Sequence, residues 1–324
     1  MSARNGRARA LLNALGPFLG LVLVIGLFSL KEDLRRTFLT GGNFKIIFIQ
    51  TVIVALGALG MTMIIISGGI DLGVGSTVAL TSVVGATLLL RHYPPVVAGL
   101  LTILAGGAIG LVNGTIIAGF RMMPFIVTLG MMGIARGTAK WLANSQTVNP
   151  PESAVNAMMA MNEPDTLLPL PAGVWLTLGL AAMMSLILRR TVFGRHIFAI
   201  GSNEAAARLC GVRVQLQKLL VYAFAGLFFG LAGLMQLSRL TQGDPSVAIG
   251  LELDMIAAVV IGGASLSGGT GSISGSLIGA LIMAVLRNGS NQMGLETYMQ
   301  EIVIGAVIIL AVGLDKFRQS RRAG

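Results

Sequence analysis

Residues 46–66 read IIFIQTVIVALGALGMTMIII, without one charged side chain. A helix rises about 1.5 Å per residue, so this run is long enough to cross the roughly 30 Å hydrocarbon core of a bilayer. Comparable apolar runs lie at 12–30, 73–90, 95–119, 123–142, 172–188, 218–238, 253–266, 272–286 and 299–314. Within lipid no water bonds to backbone N–H and C=O groups, so a spanning chain forms helices or a closed barrel. A barrel reads as short strands of alternating polarity, and none are visible. The expected fold is therefore an all-α polytopic membrane protein, a single transmembrane domain over 1–324 with about ten transmembrane helices. The runs 253–266 and 272–286 are short and flanked by glycine, so eight spans plus a re-entrant hairpin is the other count. Charged residues make up 11% of the chain, against about a quarter in a soluble domain.

The net charge of +10 does not point to nucleic acid, because the basic residues gather in the tails and in the connections between apolar runs. That is how cytoplasmic loops are marked. Arg4, Arg7 and Arg9 precede the first run, and Lys316, Arg318, Arg321 and Arg322 follow the last, against Asp315. The segment 189–218 carries Arg189, Arg190, Arg195, Arg208, Arg213 and Lys218 against Glu204. The expected arrangement places both termini and this segment in the cytoplasm. The segment 144–171, with Glu152, Glu163 and Asp165, falls outside, as does 239–254, with Asp244, Glu252 and Asp254 against Arg239. One segment disagrees: 31–45 has Lys31, Arg35, Arg36 and Lys45 and counts to the outside, softened by Glu32 and Asp33. The Arg-rich start and first apolar run lack a small-residue cleavage site, which reads as a retained span. The single cysteine, Cys210, says little about redox compartment.

Within the basic segment lies GSNEAAARLCGV, 201–212, with Glu204 and Arg208 one helical turn apart. Ser202 or Asn203 suits an N-cap, Glu204 the positive end of a helix dipole, Ala205–Ala207 the helix interior and Gly211 its stop. About two turns of helix are expected there, either as a solvated connector or as a lever for a partner protein. A second motif, SGGIDLGVGS at 67–76, contains Asp71, the only acidic residue between Asp33 and Glu152. Ser67, Gly68, Gly69 and Asp71 read as a break in helix that shapes a pathway, or, for Asp71, as a cap on the next helix. The stretch 260–272 echoes it, pairing Gly68 with Gly262, Gly69 with Gly263, Asp71 with Ser265 and Ser76 with Ser272. Paired glycine-broken segments in two halves of a transporter mark its central path. Asn113 and Thr128, and also Gln50, Gln236 and Asn288, offer hydrogen bonds either to a polar solute or to neighbouring helices. Arg136 reads as snorkelling outward or as a docking contact. Glycines at four-residue spacing, Gly106/Gly110/Gly114, Gly226/Gly230 and Gly271/Gly275/Gly279, read as close helix packing.

No Gly-x-x-x-x-Gly-Lys-Ser/Thr loop occurs, and His92 and His196 stand far apart in the sequence. No Ser, His and Asp grouping points to nucleophilic catalysis, so the chain reads as a non-enzyme that binds no cofactor of its own.

The stretch FGRHIFAIGSNEAAARLCGVRVQLQK, Phe193 to Lys218, resembles the cytoplasmic coupling loop of ATP-binding-cassette importer permeases. In that family the loop carries Glu-Ala-Ala-x-x-x-Gly; here Glu204-Ala205-Ala206 stands one residue out of register with Gly211. Together with SGGIDLGVGS, GLVNGTIIAGF (110–120), PFIVTLGMMGIARG (124–137) and ELDMIAAVVIGGASLSGGTGSISG (252–275), the chain is similar to permeases of ribose/galactose/xylose/arabinose importers. The resemblance implies transport of a monosaccharide across the bacterial inner membrane. It further implies a cytoplasmic ATPase that holds ATP and Mg and grips Asn203–Gly211, an extracytoplasmic sugar-binding protein, and a second permease copy or related chain. The alternative from another class is a self-sufficient secondary transporter or channel for a small polar solute. That would need membrane-embedded carboxylates, of which Asp71 is the one expected.

Overall fold

The computed structural model describes residues 2–30, 32–160 and 170–323, with side chains from residue 16 onward except 33, 34, 311 and 314–323. The expectations for Arg4, Arg7, Arg9, Lys31, Asp33, Glu163, Asp165 and the charges from Asp315 to Arg322 lie outside the described side chains.

The regular structure among the described residues is helical, including a short 3-10 turn at Asn156–Met158, with one isolated bridge, Val148 to Gly243, outside the helices. Thirteen α-helices run α1 Ser2–Ser29, α2 Glu32–Phe38, α3 Gly41–Ile66, α4 Val74–Leu90, α5 Pro95–Gly119, α6 Pro124–Leu142, α7 Ala172–Arg190, α8 Val192–Ser202, α9 Glu204–Leu209, α10 Val214–Leu240, α11 Leu251–Ile261, α12 Ile273–Gln292 and α13 Thr297–Ala323. Each of the ten apolar runs falls on one of these helices. Among the described residues, five of them, α3, α5, α7, α10 and α12, are long and apolar enough to cross a membrane by length and composition. By contrast α11 stops at Ile261, and its 11 residues rise only about 17 Å, roughly half the hydrocarbon core.

The centre of the fold is α3, apolar on every side and buried along almost its whole length. A helix hydrophobic all round belongs inside a protein rather than at its lipid face. It packs against α10, α12 and α11, and α5 lies along α10. The glycine stripes permit this approach: a β-carbon at Gly110 would overlap the carbonyl oxygen of Tyr222, and one at Gly226 that of Gly106. Helix packing is thus their role, as expected. Pro95 and Pro124 open α5 and α6 at the first helical position, where no N–H is needed.

Two connections interrupt the helices at one place. After α3, Gly68 takes φ +83°, and the N–H groups of Gly68 and Gly69 return to Ile65 and Ile64. After α11, Gly263 takes φ +92°, and the N–H groups of Gly263 and Ala264 return to Val260 and Val259. The caps therefore make Gly68 equivalent to Gly263, one residue away from the sequence pairing of Gly68 with Gly262. The pairing of Ser76 with Ser272 also shifts. Ser272 caps α12 by accepting from the Gly275 N–H at 3.1 Å, whereas Ser76 lies inside α4, whose cap is Gly73. Text alignment follows residue letters; the left-handed residue follows the point where the helix ends.

At the far end of α10, Arg136 donates to the carbonyl oxygens of Pro245 (2.8 Å) and Val247 (2.6 Å). It braces the 241–250 connection, and its guanidinium does not simply reach outward. The 31–45 segment folds in part as α2, with Glu32 against Arg36 at 3.5 Å and Phe38 fully buried.

Candidate functional site

Two short helices form the basic segment. Thr191 caps α8, accepting from the Gly194 N–H at 3.2 Å. Asn203, not Ser202, caps α9: its Oδ1 accepts from the Ala206 N–H at 2.9 Å. Ser202 is the last residue of α8. Helix α9 closes at Cys210, and Gly211 takes the left-handed turn at φ +82°. Ala207 is buried with Ile200 and Val214, which fixes α9 to its flanks; Ala205, Ala206 and Arg208 face solvent.

Glu204 holds two cations at once. Its Oε1 accepts from Arg208 at 3.1 Å and its Oε2 from Lys218, on α10, at 2.6 Å. The hydrogen bond from Lys218, ahead of the contributions from Arg208, holds the Glu204 carboxyl below its ordinary value of 4.5. The sequence places Glu204 and Arg208 one turn apart. Nothing in its spacing indicates Lys218, fourteen residues on. Beside them Leu209 is 90% exposed, an apolar side chain left standing at the tip of a polar helix. The signal for it in the sequence is a lone leucine on an alanine-rich polar helix.

Behind α9, the end of α8 enters the glycine connections. A β-carbon at Gly201 would overlap the Ile66 carbonyl oxygen and crowd the Gly269 N–H. The same Ile66 oxygen accepts from the Gly269 N–H at 2.9 Å, and Gly268 packs on both Gly201 and Gly68. The end of α8 and both glycine connections thus meet backbone to backbone. Ser67, Gly68 and Gly69 lie in the first connection; Gly262, Gly263 and Ser265 in the second, where Ser265 Oγ accepts from the Ser267 N–H at 3.2 Å.

Asp71 is buried just below this junction. Its Oδ1 accepts from the Gly73 N–H at 2.7 Å, and Gly73 is the cap of α4. Thr128 of α6 accepts from the Leu72 N–H at 3.1 Å, and the Asn113 side chain of α5 reaches Asp71. Asp71, Asn113 and Thr128, distant in sequence, therefore converge. Tyr222 of α10 joins them, its fully buried hydroxyl without a hydrogen-bond partner and beside Gly69. It was not expected, although a tyrosine inside an apolar run is a visible signal in a chain with three.

The last residues of 239–254 are the first turn of α11 rather than loop, and they hold a second buried carboxylate. Asp254 lies in the first turn of α11, 1% exposed, and its Oδ2 accepts from Arg287 of α12 at 2.7 Å (Nε) and 2.6 Å (Nη2). The helix begins at Leu251 because Gly250 supplies the left-handed turn before it, at φ +79°. Asp71 is thus not the one embedded carboxylate.

No solved structure matches the chain. The ribose import permease protein of Escherichia coli K12 is 41% identical, aligned over 92% of this chain and 93% of its own length. That of Bacillus subtilis 168 is 39% identical over 93% and 92%. The L-arabinose ABC transporter permease protein of Azospirillum brasilense is 35% identical over 94% and 88%. The family model described as the permease component of branched-chain amino acid transport systems matches residues 43–312, from the first turn of α3 into α13, and the chain belongs to that family.

Proposed function

We propose that the chain is the membrane-spanning permease of an ATP-driven, binding-protein-dependent monosaccharide importer. The family description names amino acids, but relatives 35–41% identical over more than nine tenths of the chain are permeases for ribose and arabinose, and another is a D-allose transport permease. Near-complete coverage makes the relatives the more specific guide to solute class.

The observation that carries the mechanism is the contact of Gly201 with Ile66 and Gly269. A cytoplasmic ATPase grips α9 by the exposed Leu209, Ala205 and Arg208. Because α8 and α9 are joined through Asn203 alone, movement of α9 is delivered to the two glycine connections. Backbone packed on backbone has no side-chain slack, so the push is not absorbed. The connections then shift α3 against α12, and access changes sides. ATP and Mg belong to the partner. A second copy or related chain completes the path, and a sugar-binding protein docks on the face where the 144–160 segment meets the 241–250 connection through the Val148–Gly243 bridge. In this reading 1–324 is one transmembrane domain in the bacterial inner membrane, with both termini and 189–218 in the cytoplasm. Ten apolar helices are embedded, α11 entering without crossing.

A self-sufficient secondary transporter needs a carboxylate free to take a coupling ion. Asp71 is tied to the Gly73 N–H, and the charge of Asp254 is already balanced by Arg287 on Oδ2. The deciding measurement is sugar uptake into proteoliposomes holding the chain with its ATPase and binding protein. Uptake should require hydrolysable ATP; uptake without nucleotide, driven by an ion gradient, would overturn the proposal.

A further inference from the structure

A cavity of about 350 Å³ opens between α3, α10, α11, α12 and α13, at the end of α3 away from the coupling segment. Gln50 lies sixteen residues before Ile66, roughly 24 Å along the helix at 1.5 Å per residue. The wall is polar for a site among apolar helices: Gln50, Gln236, Arg239, Asp254, Arg287 and Gln300 line it, with Ile53 and Val54 as an apolar side. A single water needs about 10–15 Å³ by the comparable measure, so there is ample room for a pentose or hexose.

Two buried acceptors on this wall have no hydrogen-bond partner, Gln50 Oε1 and Asp254 Oδ1. A buried acceptor without a partner is costly and invites a donor. Arg287 holds only Oδ2 of Asp254, so the carboxylate is oriented while its other oxygen stays unused. The site offers what a sugar ring asks for. Fixed acceptors meet hydroxyl hydrogens, guanidinium and carboxamide donors meet hydroxyl oxygens, and an apolar side receives the C–H face. Two guanidiniums against one carboxylate disfavour a coupling cation. Resting on the importer reading above, we propose that this cavity is a monosaccharide subsite on the import path. Asp254 Oδ1 and Gln50 Oε1 accept from neighbouring ring hydroxyls there, and Arg239 and Arg287 donate.

The test uses the complex with its ATPase and binding protein in proteoliposomes, and radiolabelled D-ribose, D-galactose, D-xylose, L-arabinose and D-allose as probes. If the wild type accumulates none of them on ATP, the importer reading fails and the subsite with it. With a transported sugar identified, Gln50→Leu and Asp254→Asn should each lower uptake at least tenfold, with ATPase activity in the absence of binding protein unchanged. Gln50→Leu removes the unpartnered oxygen at similar volume, so it keeps the question answerable if Asp254→Asn fails to insert. Separately, a thiol placed by Ile249→Cys, an exposed wall residue that makes none of these hydrogen bonds, in a Cys210→Ser background should react with a water-soluble methanethiosulfonate at least threefold more slowly in saturating transported sugar. Wild-type uptake by an inserted Gln50→Leu variant, or identical thiol reaction rates with and without sugar, would remove the subsite and leave the importer reading standing.

Discussion

Gly269 donates its backbone N–H to the carbonyl oxygen of Ile66 at 2.9 Å, joining two connections that stand more than two hundred residues apart in the chain. Ile66 ends α3, and Gly201, at the close of α8, rests on the same oxygen. Three backbone segments share one point. Movement of any of them is felt by the other two, because none has a side chain between itself and its neighbour.

Gly201 is therefore the position where a methyl group should separate ATP hydrolysis from transport. Gly201→Ala drives a β-carbon into the Ile66 oxygen, an overpacking that costs about 1–3 kcal/mol at such sites. The inserted variant should lose at least tenfold in uptake while retaining ATPase activity without binding protein. Wild-type uptake paired with wild-type stimulation of the ATPase by sugar-loaded binding protein would deny the junction a part in coupling.

The Glu204 pair predicts how α9 responds to acid. A carboxyl held below its ordinary value contributes stability that is present above that value and lost as pH falls through the lowered one. Both partners are partly exposed, so salt screens the contribution and it stays below about 1 kcal/mol. Relative to the intrinsic amide rate at each pH, hydrogen exchange in α9 should speed up only below the usual carboxylate range. In Lys218→Met the same acceleration should begin at higher pH. An unshifted profile in that variant would mean that Lys218 does not hold the carboxyl.

Charge reversal in α9 distinguishes a lever from a connector. Glu204→Lys with Arg208→Glu leaves Lys218 facing a new cation, so the double variant is disturbed locally as well as at the partner surface. Adding Lys218→Glu restores an opposite-charge pair inside the chain. Thermal stability should recover in the triple variant, whereas binding of the ATPase should stay weakened at least tenfold. Recovery of both together would mark α9 as a connector only.

For Asp71, the Gly73 hydrogen bond separates a structural carboxyl from a charged one. Asn keeps an oxygen that accepts from Gly73; Ala does not. Asp71→Ala should destabilise the chain by about 1–3 kcal/mol, the cost of a buried donor left unpaired, while Asp71→Asn stays near wild type in stability and uptake. Loss of transport in Asp71→Asn at unchanged stability would instead require the negative charge in the path.

The packing of α5 on α10 gives a purely structural prediction. Gly110→Leu puts a branched side chain where the Tyr222 carbonyl sits, so the two helices must separate. The melting temperature in detergent should fall by several degrees, with no equivalent loss for Gly119→Leu, where a β-carbon meets open space.

Much of this was legible in the residue string. Apolar length alone dictates membrane helices, since lipid offers no partner to an unsatisfied backbone. Local signals placed α9 almost to the residue, because caps and left-handed glycines act within a turn: Asn203, Glu204 and Gly211 stand where they were expected. Glycine spacing correctly indicated close packing without naming which helices meet. Other features depended on segments remote in sequence. No periodicity tells that Lys218 would turn back to Glu204, that Arg287 would claim Asp254 and draw it out of an apparent loop into a buried pair, or that Gly201 would land on Ile66. The offset between Gly68 and Gly263 belongs to the same class, being set by where each helix ends and not by which letters repeat. Short-range hydrogen bonding and hydrophobic length are properties of the string. The meeting of distant backbones depends on how the helices pack, and packing decided which polar groups are paired and which two acceptors beside the cavity were left waiting.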